Sequence, residues 1–138
     1  MPAKVFLDTN VLVYAFDRAA DAKRERARAI IQNQSEEWGI SWQVIQEFCN
    51  VARHRFKVPM RREDLSDYLE LVLMPHCEVM PSKALYLKAL ALHSQTHYRF
   101  YDSLIVVSAL ASGAKELYSE DLQSGRKIGD LQIVNPFL

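Results

Sequence analysis

Hydrophobic and polar positions along the chain alternate between short apolar runs and longer stretches with a helical repeat. The runs Val5 to Asp8, Trp38 to Ser41, Cys77 to Met80, Glu116 to Ser119 and Gln132 to Val134 predict strands. Between them the repeat predicts helices over Val11 to Phe16, Asp21 to Gln34, Trp42 to about Phe56, Leu65 to Val72, Lys83 to about Thr96 and Tyr101 to Ala111. Ala27, Ile30 and Ile31 would form the inner side of the second helix, and Ile45, Phe48, Cys49 and Ala52 that of the third. The punctuation agrees. Ser41 and Ser82 can cap the helices that follow them, Val58-Pro59 ends one, Pro81 and Pro136 close strands, and Gly113 suits a left-handed helix end. Strands alternating with helices imply parallel pairing through right-handed crossovers: an α/β fold, a central, mostly parallel sheet flanked by helices on both faces. Glu120 to Gly129, rich in Gly, Ser and charge, predicts a mobile surface loop.

Composition narrows the class. The chain has 138 residues, 49% of them hydrophobic, enough for one domain with a real core. Seventeen Lys and Arg balance seventeen Asp and Glu, so no global field draws the protein to nucleic acid or to anionic lipid, and any such contact must be local. Cys49 and Cys77 lack metal or redox spacing, and the N-terminus lacks a secretory pattern, which predicts a cytoplasmic protein with free thiols. No apolar stretch reaches the roughly 18 residues of a membrane span.

Four acids fall at comparable positions in this architecture. Asp8 ends the first strand, Glu47 lies in the first half of the third helix, Asp102 opens the last helix, and Asp121 follows the Leu117-Tyr118-Ser119 strand. All four would reach one rim of the sheet, where open α/β folds bind ligands. Carboxylates gathered there repel one another, and a divalent cation removes that penalty. Mg²⁺ or Mn²⁺, one or two ions, suits such oxygen donors and leaves room for water and phosphate. This predicts activation of water for attack on a phosphodiester, with Asp8 and Asp102 as direct ligands and Glu47 and Asp121 binding directly or through water. Thr9, Asn10 and Ser119 are candidates to hold these carboxylates by hydrogen bonds. For each acid a plain structural use competes: Asp8 as a helix cap, Asp102 as an acid in a helix's first turn, Glu47 as a solvated helix residue, Asp121 as an ordinary loop acid.

Four segments, Val5-Phe6-Leu7-Asp8-Thr9-Asn10-Val11-Leu12, Val44-Ile45-Gln46-Glu47-Phe48, Phe100-Tyr101-Asp102-Ser103-Leu104-Ile105 and Leu117-Tyr118-Ser119-Glu120-Asp121-Leu122, together resemble the four acidic motifs of the PIN-domain nucleases. They are most similar to the VapC-like toxins of type II toxin-antitoxin pairs. Ser119 stands where the family usually has threonine, Ser103 where alanine is commoner, and Glu120 beside Asp121 leaves two candidates for the fourth acid, of which the family pattern favours Asp121. The resemblance implies a single PIN-like domain over residues 1–138, a Mg²⁺- or Mn²⁺-dependent endoribonuclease, a homodimer, and inhibition by a cognate antitoxin protein.

Further candidates are local. Arg53, Arg55, Lys57, Arg61 and Arg62 are candidates to contact an RNA backbone or to form a solvated helix face, and the basic group Lys23 to Arg28 reads more readily as a solvated helix face. Tyr98, Phe100 and Tyr101 are candidates for base stacking. His93 and His97 share a helical spacing but lack the glutamate of a zinc motif. Two other functions compete with the nuclease. One is a haloacid-dehalogenase-like phosphatase with Asp8 as nucleophile, although the third position of its Asp-x-Asp pattern is Asn10 here. The other is a non-catalytic module that binds RNA or protein.

Overall fold

Val5, Phe6 and Leu7 are all buried, and because neighbouring strand residues point to opposite faces, both sides of this strand are covered. The computed structural model describes residues 5–33 and 37–138. In chain order its elements are β1 (Val5–Leu7), α1 (Thr9–Tyr14), α2 (Asp21–Gln32), β2 (Trp38–Ser41), α3 (Trp42–His54), α4 (Arg62–Tyr68), β3 (Cys77–Val79), α5 (Lys83–Thr96), α6 (Phe100–Ser112), β4 (Glu116–Tyr118), β5 (Lys127–Ile128) and β6 (Leu131–Val134). The strands form one sheet in the order β3-β2-β1-β4-β6-β5. All neighbours are parallel except β5 and β6. The α/β architecture predicted from the alternation is therefore the one observed.

Strand order decides where ligands can reach. From β1 the chain crosses to β2 on one side and later returns to β4 on the other, so the two crossovers part above β1 and β4. Such a switch point leaves a crevice at the carboxyl ends of the strands. The register holds these ends level: Leu7 is opposite Tyr118, and the Asp8 N–H donates to the Tyr118 carbonyl at 3.0 Å. Beneath the crevice lies the core of Phe6, Leu7, Leu12, Ile40, Phe48, Ile105, Leu117 and Ile133.

Several boundaries differ from the expected ones, each for a local reason. α1 starts at Thr9 rather than Val11 because Asp8 takes the N-cap position and accepts from the Thr9 N–H at 2.8 Å. α2 ends at Gln32, and the predicted end at Gln34 lies outside the described residues. The inner side of α3 is Gln43, Val44, Phe48 and Ala52, with Ile45 and Cys49 only half-buried, so the buried stripe is rotated toward α1. The helix expected through Val72 loosens after Tyr68 into a wide turn over Leu69–Leu73 and a tight one over Met74–His76. Ser41 does not cap α3: its hydroxyl is buried and makes no hydrogen bond, while Ser82 does cap α5 by accepting from Leu85 N–H at 3.1 Å.

The predicted mobile loop needs the largest correction. Lys127–Ile128 pairs with β6 as an antiparallel edge strand, and Gly129 turns the hairpin with a φ of 57°, a conformation that disfavours other residues. The segment before it is also tied, with Gly125 N–H on the Ile133 carbonyl and Ile133 N–H on the Arg126 carbonyl, both at 2.8 Å. A two-residue strand is too short to leave a periodic signal.

Candidate active site

Asp8 leaves the end of β1 and Ser119 the end of the adjacent β4, which brings side chains 111 positions apart into contact. Ser119 is fully buried; its hydroxyl donates to Asp8 Oδ2 at 2.7 Å and accepts from the Asp121 N–H at 3.2 Å. One short side chain thus sets the position of the first acid and the backbone of the fourth. Asn10, in the first turn of α1, completes the link. Its Nδ2 donates to Asp121 Oδ2 at 3.2 Å and to Ser119 Oγ at 3.5 Å, and its Oδ1 accepts from the Glu120 N–H at 3.3 Å.

Glu47 approaches from α3. Thr9 Oγ1 donates to its Oε2 at 3.0 Å, and Gln43, one turn earlier on the same helix face, donates to its Oε1 at 2.8 Å. The same Gln43 amide also donates to the Tyr101 carbonyl at 3.2 Å, which joins α3 to the first turn of α6 beside Asp102. The Asp102 carboxylate accepts from Arg99 at 3.4 Å. Gln43 was not singled out from sequence; its signal was a polar residue four positions before the acid, on a face that is otherwise buried.

Burial pushes the Asp8 carboxyl up to about 6, hydrogen bonds from Ser119 and Thr9 oppose that rise, and the negative charges of Glu47 and Asp121 add to it. Asp8 therefore lies in the field of both other acids. Among the described residues, however, no three His, Cys, Asp or Glu side chains converge closely enough to hold a metal ion between them. The donors present are carboxylate oxygens, which suit a hard cation such as Mg²⁺ that keeps several waters and takes only one or two carboxylates. Those donors lack the nitrogen and sulfur ligands that zinc commonly takes. His93 instead meets the Tyr98 carbonyl, and His97 takes a left-handed position at the end of α5.

Glu120 and Asp121, indistinguishable as neighbours in sequence, part company here. Glu120 bonds to Tyr14 and Lys23, and the Lys23 and then the Tyr14 contacts lower its pKa; Asp121 goes to Asn10. Of the basic group on α2, Lys23 holds Glu120, Arg24 pairs with Asp21, Arg26 reaches the Pro136 carbonyl and Arg28 the Ala15 carbonyl, so its cations are spent within the fold. In the second group Arg53 bonds to the Met60 carbonyl and Arg61 to Asp64. Arg55, Lys57 and Arg61 help line a groove of about 880 Å³ together with Val13, Phe16, Val51, Phe56, Val58 and Met60. Tyr98 and Phe100 are half-buried in packing, while Tyr101, next to Asp102, is 68% exposed.

A parallel sheet with acids and hydroxyls gathered at its switch point defines an α/β protein with an acidic, oxygen-rich centre. The sequence matches the PIN domain family over residues 5–127, and the chain belongs to that family. No curated protein matches it by sequence. Solved structures do match in fold. A toxin-antitoxin complex from Klebsiella pneumoniae superimposes with a TM-score of 0.68 at 17% identity, covering 96% of this chain and 97% of that one. The FitAB complex bound to IR36 DNA gives 0.68 at 17% identity over 97% and 96%. VapC20 from Mycobacterium tuberculosis, described as a sarcin-ricin loop cleaving toxin, gives 0.61 at 20% identity over 85% and 89%.

Proposed function

We propose that this protein is a divalent-metal-dependent endoribonuclease, the toxin of a type II toxin-antitoxin pair. PIN domains are generally nucleases that use divalent metal ions, and several structures of the same fold are toxin-antitoxin complexes. The observation that carries the reading is the row of tethered carboxylates at the ends of β1 and β4, Asp8 held by Ser119, Glu47 by Thr9 and Asp121 by Asn10, with Asp8 raised by burial and by its acidic neighbours. Mg²⁺ or Mn²⁺, one or two ions, would supply a Lewis acid that activates water and offsets charge on a phosphodiester. Asp8 and Asp102 are the proposed direct ligands. Glu47 and Asp121 act directly or through water, and each can orient or accept a proton from the attacking water. Thr9, Asn10 and Ser119 hold these carboxylates in place, and Gln43 keeps Glu47 turned toward the start of α6. Arg53, Arg55, Lys57, Arg61 and Arg62 are proposed contacts for the RNA backbone.

The partner and assembly follow the same reading. A cognate antitoxin has a natural seat in the apolar groove bordered by Arg18, Arg55, Lys57 and Arg61, which suits an amphipathic segment carrying acids at its edges. The exposed apolar face of α5, with Tyr86, Leu87 and Leu90, is the proposed contact of a homodimer. The proposed setting is the cytoplasm; among the described residues no helix is long and apolar enough to cross a membrane. The phosphatase alternative has no observation in its favour, because Asn10 is committed to Asp121, Ser119 and Glu120.

The test is cleavage of single-stranded RNA by purified protein with and without Mg²⁺ or Mn²⁺. Asp8→Asn and Asp102→Asn should each lower the rate by more than the about 10- to 100-fold that loss of an outer partner costs. Equal cleavage by wild type and a folded Asp102→Asn variant would overturn the metal-site reading.

A further inference from the structure

Glu120 makes its side-chain bonds to α1 and α2 rather than to Asp8 or Asp121. Its Oε1 accepts from the Tyr14 hydroxyl and its Oε2 from Lys23 Nζ, each at 2.6 Å, while Lys23 Nζ also donates to the Tyr14 hydroxyl at 3.3 Å. Tyr14 is itself fixed. Its ring meets Phe137 edge-on with centroids 4.9 Å apart, and Lys23 Nζ lies 4.8 Å from its centre.

Asn10 precedes Tyr14 by four residues, so both lie on one face of α1. Asn10 accepts from the Glu120 N–H and donates to the Asp121 carboxylate. One face of α1 therefore grips the exit of β4 twice, through Asn10 in its first turn and Tyr14 in its second. Lys23 of α2 brings a charge to the second grip. The need for it is visible in Asp121, an exposed residue whose carboxylate takes its side-chain hydrogen bond from Asn10. Ser119 Oγ holds its backbone N–H and Asn10 its carboxylate, each at 3.2 Å, and the grip of Glu120 on the residue before it adds a third restraint to an exposed loop carboxylate.

We infer that Glu120 is a positioning residue for the metal site. By gripping Tyr14 and Lys23 it holds the exit of β4 so that Asp121 stays with Asn10 beside Asp8, and it keeps its own carboxylate from competing there. Partners of this kind, which touch a ligand's support rather than the metal, commonly change metal affinity by about 10- to 100-fold.

The inference rests on the metal-dependent reading, and the experiment separates the two. Binding of Mn²⁺ to the full chain is titrated without RNA, following the free-ion signal by electron paramagnetic resonance, for wild type, Glu120→Ala, Glu120→Gln, Tyr14→Phe and Asp8→Asn. Glu120→Ala should weaken binding about tenfold. Glu120→Gln, which keeps an acceptor for Tyr14, should recover part of the loss. Tyr14→Phe, which keeps the ring against Phe137, should weaken binding in the same direction. A merely structural role would lower the melting temperature and leave the affinity of the folded protein unchanged. Wild-type affinity in folded Glu120→Ala overturns the inference, and if that variant does not fold, wild-type affinity in Tyr14→Phe does so. Failure of the wild type to bind Mn²⁺, or equal binding by Asp8→Asn, overturns the metal reading and the inference with it.

Discussion

Asp8 carries a charge that the metal-free fold disfavours, since burial and its acidic neighbours push its carboxyl up to about 6 from an ordinary 3.8. A carboxyl whose pKa rises on folding favours the folded state while protonated. Its contribution is fully present below the ordinary value and is lost as pH climbs toward 6. In chelator, Asp8→Asn should therefore melt like the wild type near pH 4 and be more stable above pH 6, by about 2 kcal/mol after allowing for part exposure of the site. Thermal melts of both proteins across that range check it, and an equal stability gap at every pH would refute it. The same residue caps α1 through Oδ1 and takes Ser119 on Oδ2, so the capping and site readings of Asp8 are not exclusive.

At the scale of elements, the two serines expected to cap helices behave differently. Ser82 accepts from Leu85 N–H, so Ser82→Ala should cost about 1 kcal/mol. Ser41 Oγ is buried without a partner, so Ser41→Ala should be neutral or stabilising. Denaturant unfolding of both variants decides this, and an equal loss would contradict the structure. Strands and helices with strong periodicity were legible from sequence: β2 spans Trp38–Ser41 as read, and α5 spans Lys83–Thr96. β5 was not, because Lys127–Ile128 is defined by pairing with β6 rather than by any pattern of its own. The wide turn at Leu69–Leu73 was hidden for a similar reason, since its residues continue a helical repeat.

For the whole molecule, separating the acidic centre from the apolar groove predicts that catalysis and partner binding can be uncoupled. Val58 lines the groove and is 68% exposed, so a charge there disturbs docking without touching the core. Val58→Glu should lose co-purification with, and inhibition by, the proposed antitoxin while keeping the wild-type cleavage rate at saturating RNA, its charge beside Lys57 raising only the RNA concentration needed. Retained inhibition would move the partner's seat elsewhere.

The sequence alone determined the α/β class and nominated the four acids together with Thr9, Asn10 and Ser119, because periodicity and strand-end chemistry are local properties of the chain. Tertiary structure decided what no local pattern contains. Strand order set β1 beside β4 and so brought Asp8 to Ser119; packing of α3 on α1 brought Glu47 to Thr9; and Tyr14 and Lys23, drawn in from two helices, separated Glu120 from Asp121. Each of those pairings joins residues distant in sequence, and only the fold brings them within hydrogen-bonding distance.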